Sequence, residues 1–419
     1  MNRSSQSTAR RRLSQGELNL VMEAHERFVA RKPGGKGACL RYVDLSGLDL
    51  SGRNLSDSDF AGSIMAGCSM AGVRLERASL FGCDMREANL SGAVLARADL
   101  RGVSLRGANV TCADLTCADF REGQIGLADR KAGLSMLRHD GSEGGLDKAN
   151  FAGSTLDGSQ LNDVSACAAD FTDCSMKGAN LAGANLKDAN LSGADLEGVE
   201  VAGANLENAR LTNAVLTGVD VRRARTTMGA DLSGSVNAPS AQAIARADEM
   251  KARATANHNW CETGGASGAP ARFDREDLRP LAGQLRGLRL SAMSAKGACL
   301  MGLDLTDAQL QGANFEGADL RGVVLRGADL RGAKLLGANL TRADLRGAIL
   351  SPVPLAAGRS NPVNAGGARF CYARAQGADL RGAVLDDADL RGADFTDARM
   401  DGASLSGAQV KHAAGLPKG

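Results

Sequence analysis

The chain has 419 residues, of which 43% are hydrophobic but only 3% aromatic, and its formal net charge is +2. A globular core of ordinary width would use more large aromatics, so the interior must be narrow and built from Leu and Ala. The near-neutral balance marks the chain as neither a polycation nor a polyanion, and direct nucleic-acid binding is not expected. No stretch approaches 18 consecutive apolar residues, so no transmembrane segment is expected.

Residues 1–37 read as a basic tail followed by an amphipathic capping helix. Arg10, Arg11 and Arg12 precede no apolar run of the signal-peptide kind and read as a solvated tail. Over 13–31, Ser14 and Glu17 have the spacing of a capping box, and Leu18, Val21, Met22, Phe28 and Val29 share one side. Pro33-Gly34-Gly35 ends this helix, which is expected to cover the first coil of the region beginning at residue 38.

A period of five then takes over. From Ala378 the chain reads ADLRG, AVLDD, ADLRG, ADFTD, ARMDG, ASLSG. With the large apolar residue as centre, centres run from Leu40 to Phe120, from Phe151 to Val221, from Leu285 to Leu350 and from Phe370 to Val410. These 55 repeats make 275 of the 419 residues, so the repeat is the architecture. Leu, Phe or Met fills most centres, Ala lies two residues before, and Asp, Asn or Ser lies between. Two apolar residues in alternation face one way, as in a strand, and the next two polar residues, often ending in Gly, suit a corner. Apolar spacing of two then three does not trace a helical stripe. Four corners close a square of about twenty residues, and coils stack through parallel β-bridges at about 4.8 Å.

Repeats such as Ala98-Asp99-Leu100-Arg101-Gly102 and Ala328-Asp329-Leu330-Arg331-Gly332 resemble the A(D/N)LXX signature of the pentapeptide-repeat family. That resemblance implies an all-β fold: a right-handed quadrilateral parallel β-helix, a solenoid in two towers with short helical cap and linker segments. Residues 38–235 form the first tower with an inserted loop at 121–148, and 236–282 form a helical and flexible linker with a helix near 240–256. Residues 283–412 form the second tower, with an interruption at 351–369 that is either a degenerate coil or a loop. Lys36-Gly37-Ala38-Cys39-Leu40 recurs as Lys296-Gly297-Ala298-Cys299-Leu300 near the start of each tower.

The chemistry-bearing residues do not converge. Nearly every Asp sits one before a centre, where the repeat asks for a short polar group. Cys39, Cys68, Cys83, Cys112, Cys117, Cys167, Cys174, Cys261, Cys299 and Cys371 show no CxxC pair and read as free thiols of a reducing cytoplasm. Cys68, Cys83 and Cys174 occupy the Ala position and read as small core residues. Neither Cys112 with Cys117 nor His258 with Cys261 has the further ligands a zinc site needs. His25 reads as a capping or surface residue, Pro33 to Gly37 lacks phosphate-loop spacing, and only His412 touches the end of the regular repeat. No catalytic residue, metal ligand or cofactor is expected.

Charge separates the functional readings. Residues 149–223 carry 10 acidic and 5 basic groups, the one block that leans acidic enough to suggest a mimic of the DNA backbone. In the later repeats, Arg321, Arg326, Arg331, Arg346, Arg381 and Arg391 come just after centres, and neighbouring Asp residues are expected to pair with them. The resemblance implies relatives that inhibit DNA gyrase by imitating DNA, relatives that are bacterial effectors, and dimerisation of the gyrase inhibitors through a C-terminal helix. About seven residues lie beyond the last repeat, which departs from that pattern. The expectation is a non-catalytic protein-interaction scaffold with an unassigned protein partner and oligomeric state. The alternatives are a DNA mimic that protects a type II topoisomerase and, behind it, a bacterial effector.

Overall fold

The computed structural model describes residues 10–129, 133–136, 145–355 and 359–417, with the backbone alone for 126–129 and 133–136. The chain divides into two compact units, Met1–Ala238 and Pro239–Gly419.

The five-residue repeat folds the same way in both. In Ala98 to Gly102, Ala98 and Leu100 are buried while Asp99 between them forms the β-bridge. Leu100 N–H donates to Asp119 in the next coil (2.8 Å) and Asp99 N–H to Ala78 in the previous one (3.0 Å). Each short strand is thus bonded on both sides, which leaves few unpaired backbone groups between coils. Val103 N–H donates back to the Leu100 carbonyl (3.1 Å), closing a four-residue turn whose third residue, Gly102, has φ +66°. Bridges recur at intervals of twenty, as in Ser79 to Asp99 to Asp119, so four five-residue sides make one coil.

Gly102 has a second reason to be glycine, because a Cβ there would run into the Gly123 carbonyl oxygen. Gly92 has nearly the same φ, +65°, but open space around it. Gly92→Ala should therefore cost about 1 kcal/mol for its left-handed backbone, and Gly102→Ala distinctly more, about 2–3 kcal/mol. Urea unfolding of the two variants checks this; equal costs would mean that the Gly123 segment does not press on the coil.

The interruptions are additions between intact coils. Asn109 pairs with Asn150 and Asp119 with Gln160, offsets of 41, so the chain carries 21 extra residues there and the repeat resumes one residue out of phase. That insertion contains an antiparallel pair, β3 (Gly126–Asp129) and β4 (Gly133–Met136). At the later break, Lys334 pairs with Asn364 and Ile349 with Asp379, offsets of 30. The chain carries ten extra residues there, among them the antiparallel pair β5 (Val353–Pro354) and β6 (Ser360–Asn361), and the coil continues through buried Val363 and Ala365. The interruption at 351–369 thus combines an added loop with a continuing coil, which Asn364 and Arg369 have already rejoined.

In the first unit, β1 (Arg11–Arg12) pairs in parallel with β2 (Val43–Asp44), so the backbone of the basic segment is bound while its side chains stay exposed. Helix α1 (Gln15–Val29) starts at the expected capping box, Ser14 N–H to Glu17 (2.8 Å) and Glu17 N–H to the Ser14 hydroxyl (3.3 Å). Its buried stripe is Leu18, Met22 and His25, whereas Phe28 is 50% exposed.

The second unit begins with α2 (Ala241–Ala245) and α3 (Ala247–Glu262), whose Met250 and Ala254 belong to its core. The first coil starts earlier than the strict period indicates. Ala271 and Phe273 are buried and Arg272 bridges to Ser294, an offset of 22. The two extra residues lie around the 3-10 turn Arg279–Leu281, where Pro280 breaks the phase. Ala271 rather than Ala298 is thus the counterpart of Ala38, and the second Lys-Gly-Ala-Cys-Leu lies one coil further on.

Candidate functional site

The outer surface of each coil is set by the residues flanking the centre. Where the chain reads Asp-Leu-Arg, the Asp Oδ1 accepts the backbone N–H of the Arg, and the guanidinium then folds back onto both carboxylate oxygens. Arg331 does this with Asp329 (2.9 and 2.6 Å), and Arg321, Arg346, Arg381 and Arg391 repeat it with Asp319, Asp344, Asp379 and Asp389. Arg326, one coil below Arg346, also bonds to Asp344 (2.6 Å). All six arginines singled out in the sequence are therefore held by carboxylates of their own surface, five of them with a forked geometry that a lone lysine could not match.

Burial opposes ionisation of Asp344, but hydrogen bonds from Arg346 and Arg326 outweigh it and hold the carboxyl well below the usual carboxylate range. A carboxyl whose folded-state pKa is depressed stabilises the fold above its unfolded value, and that contribution disappears as acid protonates it. The second unit should lose stability as pH falls below about 4. Asp344→Asn should be less stable than wild type at pH 7 and show a shallower acid dependence, read from urea midpoints across pH.

The acidic groups of 149–223 are not gathered into one patch. Asp157 accepts from the Ser175 hydroxyl (2.5 Å) and Lys177 N–H (3.0 Å). Glu197 and Asp195 share Lys177, and Glu207 pairs with Lys187 on a different side. Asp173 and Asp188 occupy turn positions with φ +55° and +59°.

One side of the first unit differs from the rest. Its bridge positions run Asn89, Asn109, Asn150, Asp170, Asn190, and the positions two residues on run Ser91, Thr111, Ala152, Thr172, Ser192. Asp170 is the only charged residue in these ten. The side chains bond to one another up the face: Asn109 to Asn89 (3.1 Å), Thr111 to Asn109 (2.9 Å), Asn190 to Thr172 (2.7 Å), Thr212 to Ser192 (2.8 Å).

The remaining candidates are structural in their contacts. Cys68, Cys83 and Cys174 are buried and their thiols donate to the carbonyls of Leu45, Phe60 and Phe151 (3.0, 3.0 and 2.8 Å). Burial pushes the Cys68 thiol up to about 11 and that of Cys83 up to about 12, so neither is a nucleophile at neutral pH. Cys112 and Cys117 stand at successive turns with φ +58° and +57°. None of the ten cysteines is in a disulfide, and among the described residues no group of three or more His, Cys, Asp or Glu could hold a metal ion. The Pro33 to Gly37 segment is a tight return: Lys36 N–H donates to Ala24 (3.0 Å), and a Cβ on Gly35 would strike the Phe28 backbone.

His25 is fully buried rather than at the surface. Its Nδ1 accepts Ala38 N–H (2.9 Å) and its Nε2 faces the Ser56 carbonyl (2.9 Å). Asn257 on α3 makes the same pair of contacts, accepting from Ala271 N–H (3.0 Å) and donating to the Ser291 carbonyl (3.1 Å). Beside it, His258 Nδ1 accepts Arg289 N–H (3.0 Å) instead of joining Cys261 in a metal site. Sequence reasoning missed Asn257, yet a signal existed: Leu18, Met22, His25 and Met250, Ala254, Asn257 share one spacing.

The family model described as "Pentapeptide repeats (8 copies)" matches residues 38–77, 83–121, 149–225, 284–351 and 366–413, more than half of the chain. The chain belongs to the pentapeptide-repeat family. Its fold is accordingly that family's right-handed β-helical solenoid. Among solved structures it is similar to a pentapeptide repeat protein of the Arabidopsis thaliana thylakoid lumen, at 30% identity over 29% of this chain and 66% of that one, with a TM-score of 0.20. It is also similar to QnrB1, a plasmid-mediated fluoroquinolone resistance protein, at 18% identity over 48% of this chain and 90% of that one (TM-score 0.23). HetL, a pentapeptide repeat protein involved in heterocyst differentiation regulation in the cyanobacterium Nostoc, matches at 20% identity over 93% of both chains, with a TM-score of 0.13. No curated protein matches the chain. Among the described residues, no helix is long and apolar enough to cross a membrane.

Proposed function

We propose that this pentapeptide-repeat protein is a non-catalytic protein-interaction scaffold of the cytoplasm. It consists of two solenoid towers, each with its first coil closed by a helical cap, α1 in one and α3 in the other. The observation that carries this reading is the internal pairing of the surface. The Asp-Leu-Arg forks use their charges on each other, and they leave flat, rigid faces suited to holding a partner. The nearly uncharged face from Asn89 to Ser192 is the docking surface, since interface cores are depleted of charge and a prebonded array of short side chains loses little entropy on binding. The inserted hairpins add irregular contacts at the edges of that regular frame.

A DNA mimic needs a concentrated anionic surface, and here Asp157 and Glu197 share one side with Lys177 between them while Glu207 lies on another, which argues against one. A gyrase supercoiling assay tests this. The scaffold reading expects no inhibition by the full chain. Inhibition that disappears when Asp157, Asp173, Asp188, Glu197 and Glu207 are reversed to Lys would replace it with the mimic.

A further inference from the structure

Each of the two helices grips the coil beneath it through two consecutive side chains that accept backbone N–H groups. On α1 these are His25, from Ala38, and Glu26, from Asn54 (3.2 Å). On α3 they are Asn257, from Ala271, and His258, from Arg289. The registers are equivalent, as the shared spacing of the buried residues shows, and in both pairs one of the two acceptors is an imidazole Nδ1. Because a backbone N–H can only donate, each ring in place carries its proton on Nε2, toward the Ser56 carbonyl for His25 and toward Glu262 (3.5 Å) for His258.

We propose that α1 and α3 are proton-released lids. A proton added to Nδ1 sets N–H against N–H at Ala38 or Arg289, so charging the ring and keeping the helix seated exclude each other. Charged groups lie around each ring. Near His25 these are Asp57, which pairs with Arg77, Glu26, which pairs with Arg53, and Glu76, which accepts from the Ser56 hydroxyl. Near His258 they are Glu262 on α3, with Arg289 on the coil as the opposing charge. Closure therefore holds while the rings are neutral and is lost as pH falls. Release frees the Ala38 and Ala271 N–H groups and bares the strand edges at Asn54 and Arg289, backbone that an extended segment of a partner could join. The inference rests on the capping reading of both helices.

Hydrogen exchange of the full chain between about pH 7.5 and about pH 5 tests it, with rates corrected for their intrinsic pH dependence. Amide protection in 15–29 and 247–262 should fall about tenfold or more, the scale of one lost buried hydrogen bond, while coils 320–345 hold theirs. His25→Asn, which copies the side chain at 257, should keep α1 protected at both pH values and leave the α3 response intact; His258→Gln should do the reverse. Wild-type protection that does not change with acid overturns the proposal, even if a variant fails to fold. So does a fall that persists in α1 of His25→Asn or in α3 of His258→Gln. Helices already unprotected at pH 7.5 would instead sink the capping reading itself.

Discussion

Phe151→Ala is expected to destabilise the first unit by about 3–5 kcal/mol. Phe151 is fully buried one coil below Phe171, with the rings stacked 5.0 Å apart and 9° from parallel, and Phe120 meets it edge-on at 6.4 Å. A core this narrow has no neighbouring layer that can shift sideways to refill the space, because Phe151 is fixed by its N–H to the Asp170 carbonyl of the next coil (2.7 Å) and by the Ser154 N–H that closes its own turn on its carbonyl (2.9 Å). Phe171→Leu keeps most of the volume and should cost far less, under about 2 kcal/mol. Chemical denaturation of both variants is the check, and a cost below about 1 kcal/mol for Phe151→Ala would show that the rings do not fill the axis.

The second large effect comes from one repeat of the other unit. Leu330 and Ala328 are both fully buried and differ in side-chain size. Leu330→Ala should leave a void and cost about 2–5 kcal/mol. Ala328→Leu should force a larger side chain into the tight position and cost about 1–3 kcal/mol. Stability is thus lost whether the side chain shrinks at one position or grows at the other. A neutral result for both would mean that this repeat does not face inward.

How much of this was legible in the chain depends on whether the period survives. Between Leu40 and Phe120, or Leu300 and Leu350, each residue's place is set by its position in five, because the same turn and the same two inward residues recur. Phe273 is where that reading stopped short. It belongs to a coil, but two extra residues around Pro280 remove it from the phase. Of the two readings of His25, capping or surface, the surface one fails, because two backbone partners hold the imidazole inside. Phe28 was misjudged in the opposite sense, an aromatic left half exposed at the helix end. The nearly neutral face was invisible in the linear sequence, since its residues are twenty apart and join only once the offset of 41 across the insertion is known.

The most direct measurement is cross-linked partner capture from the native host with three forms of the full chain. These are wild type, a double variant Ser91→Arg with Ser192→Arg on the nearly neutral face, and Ala182→Arg on another side. The scaffold account predicts that wild type and Ala182→Arg recover one common protein and that the double variant, equally stable, loses it. Recovery of that protein undiminished by the double variant would contradict the account.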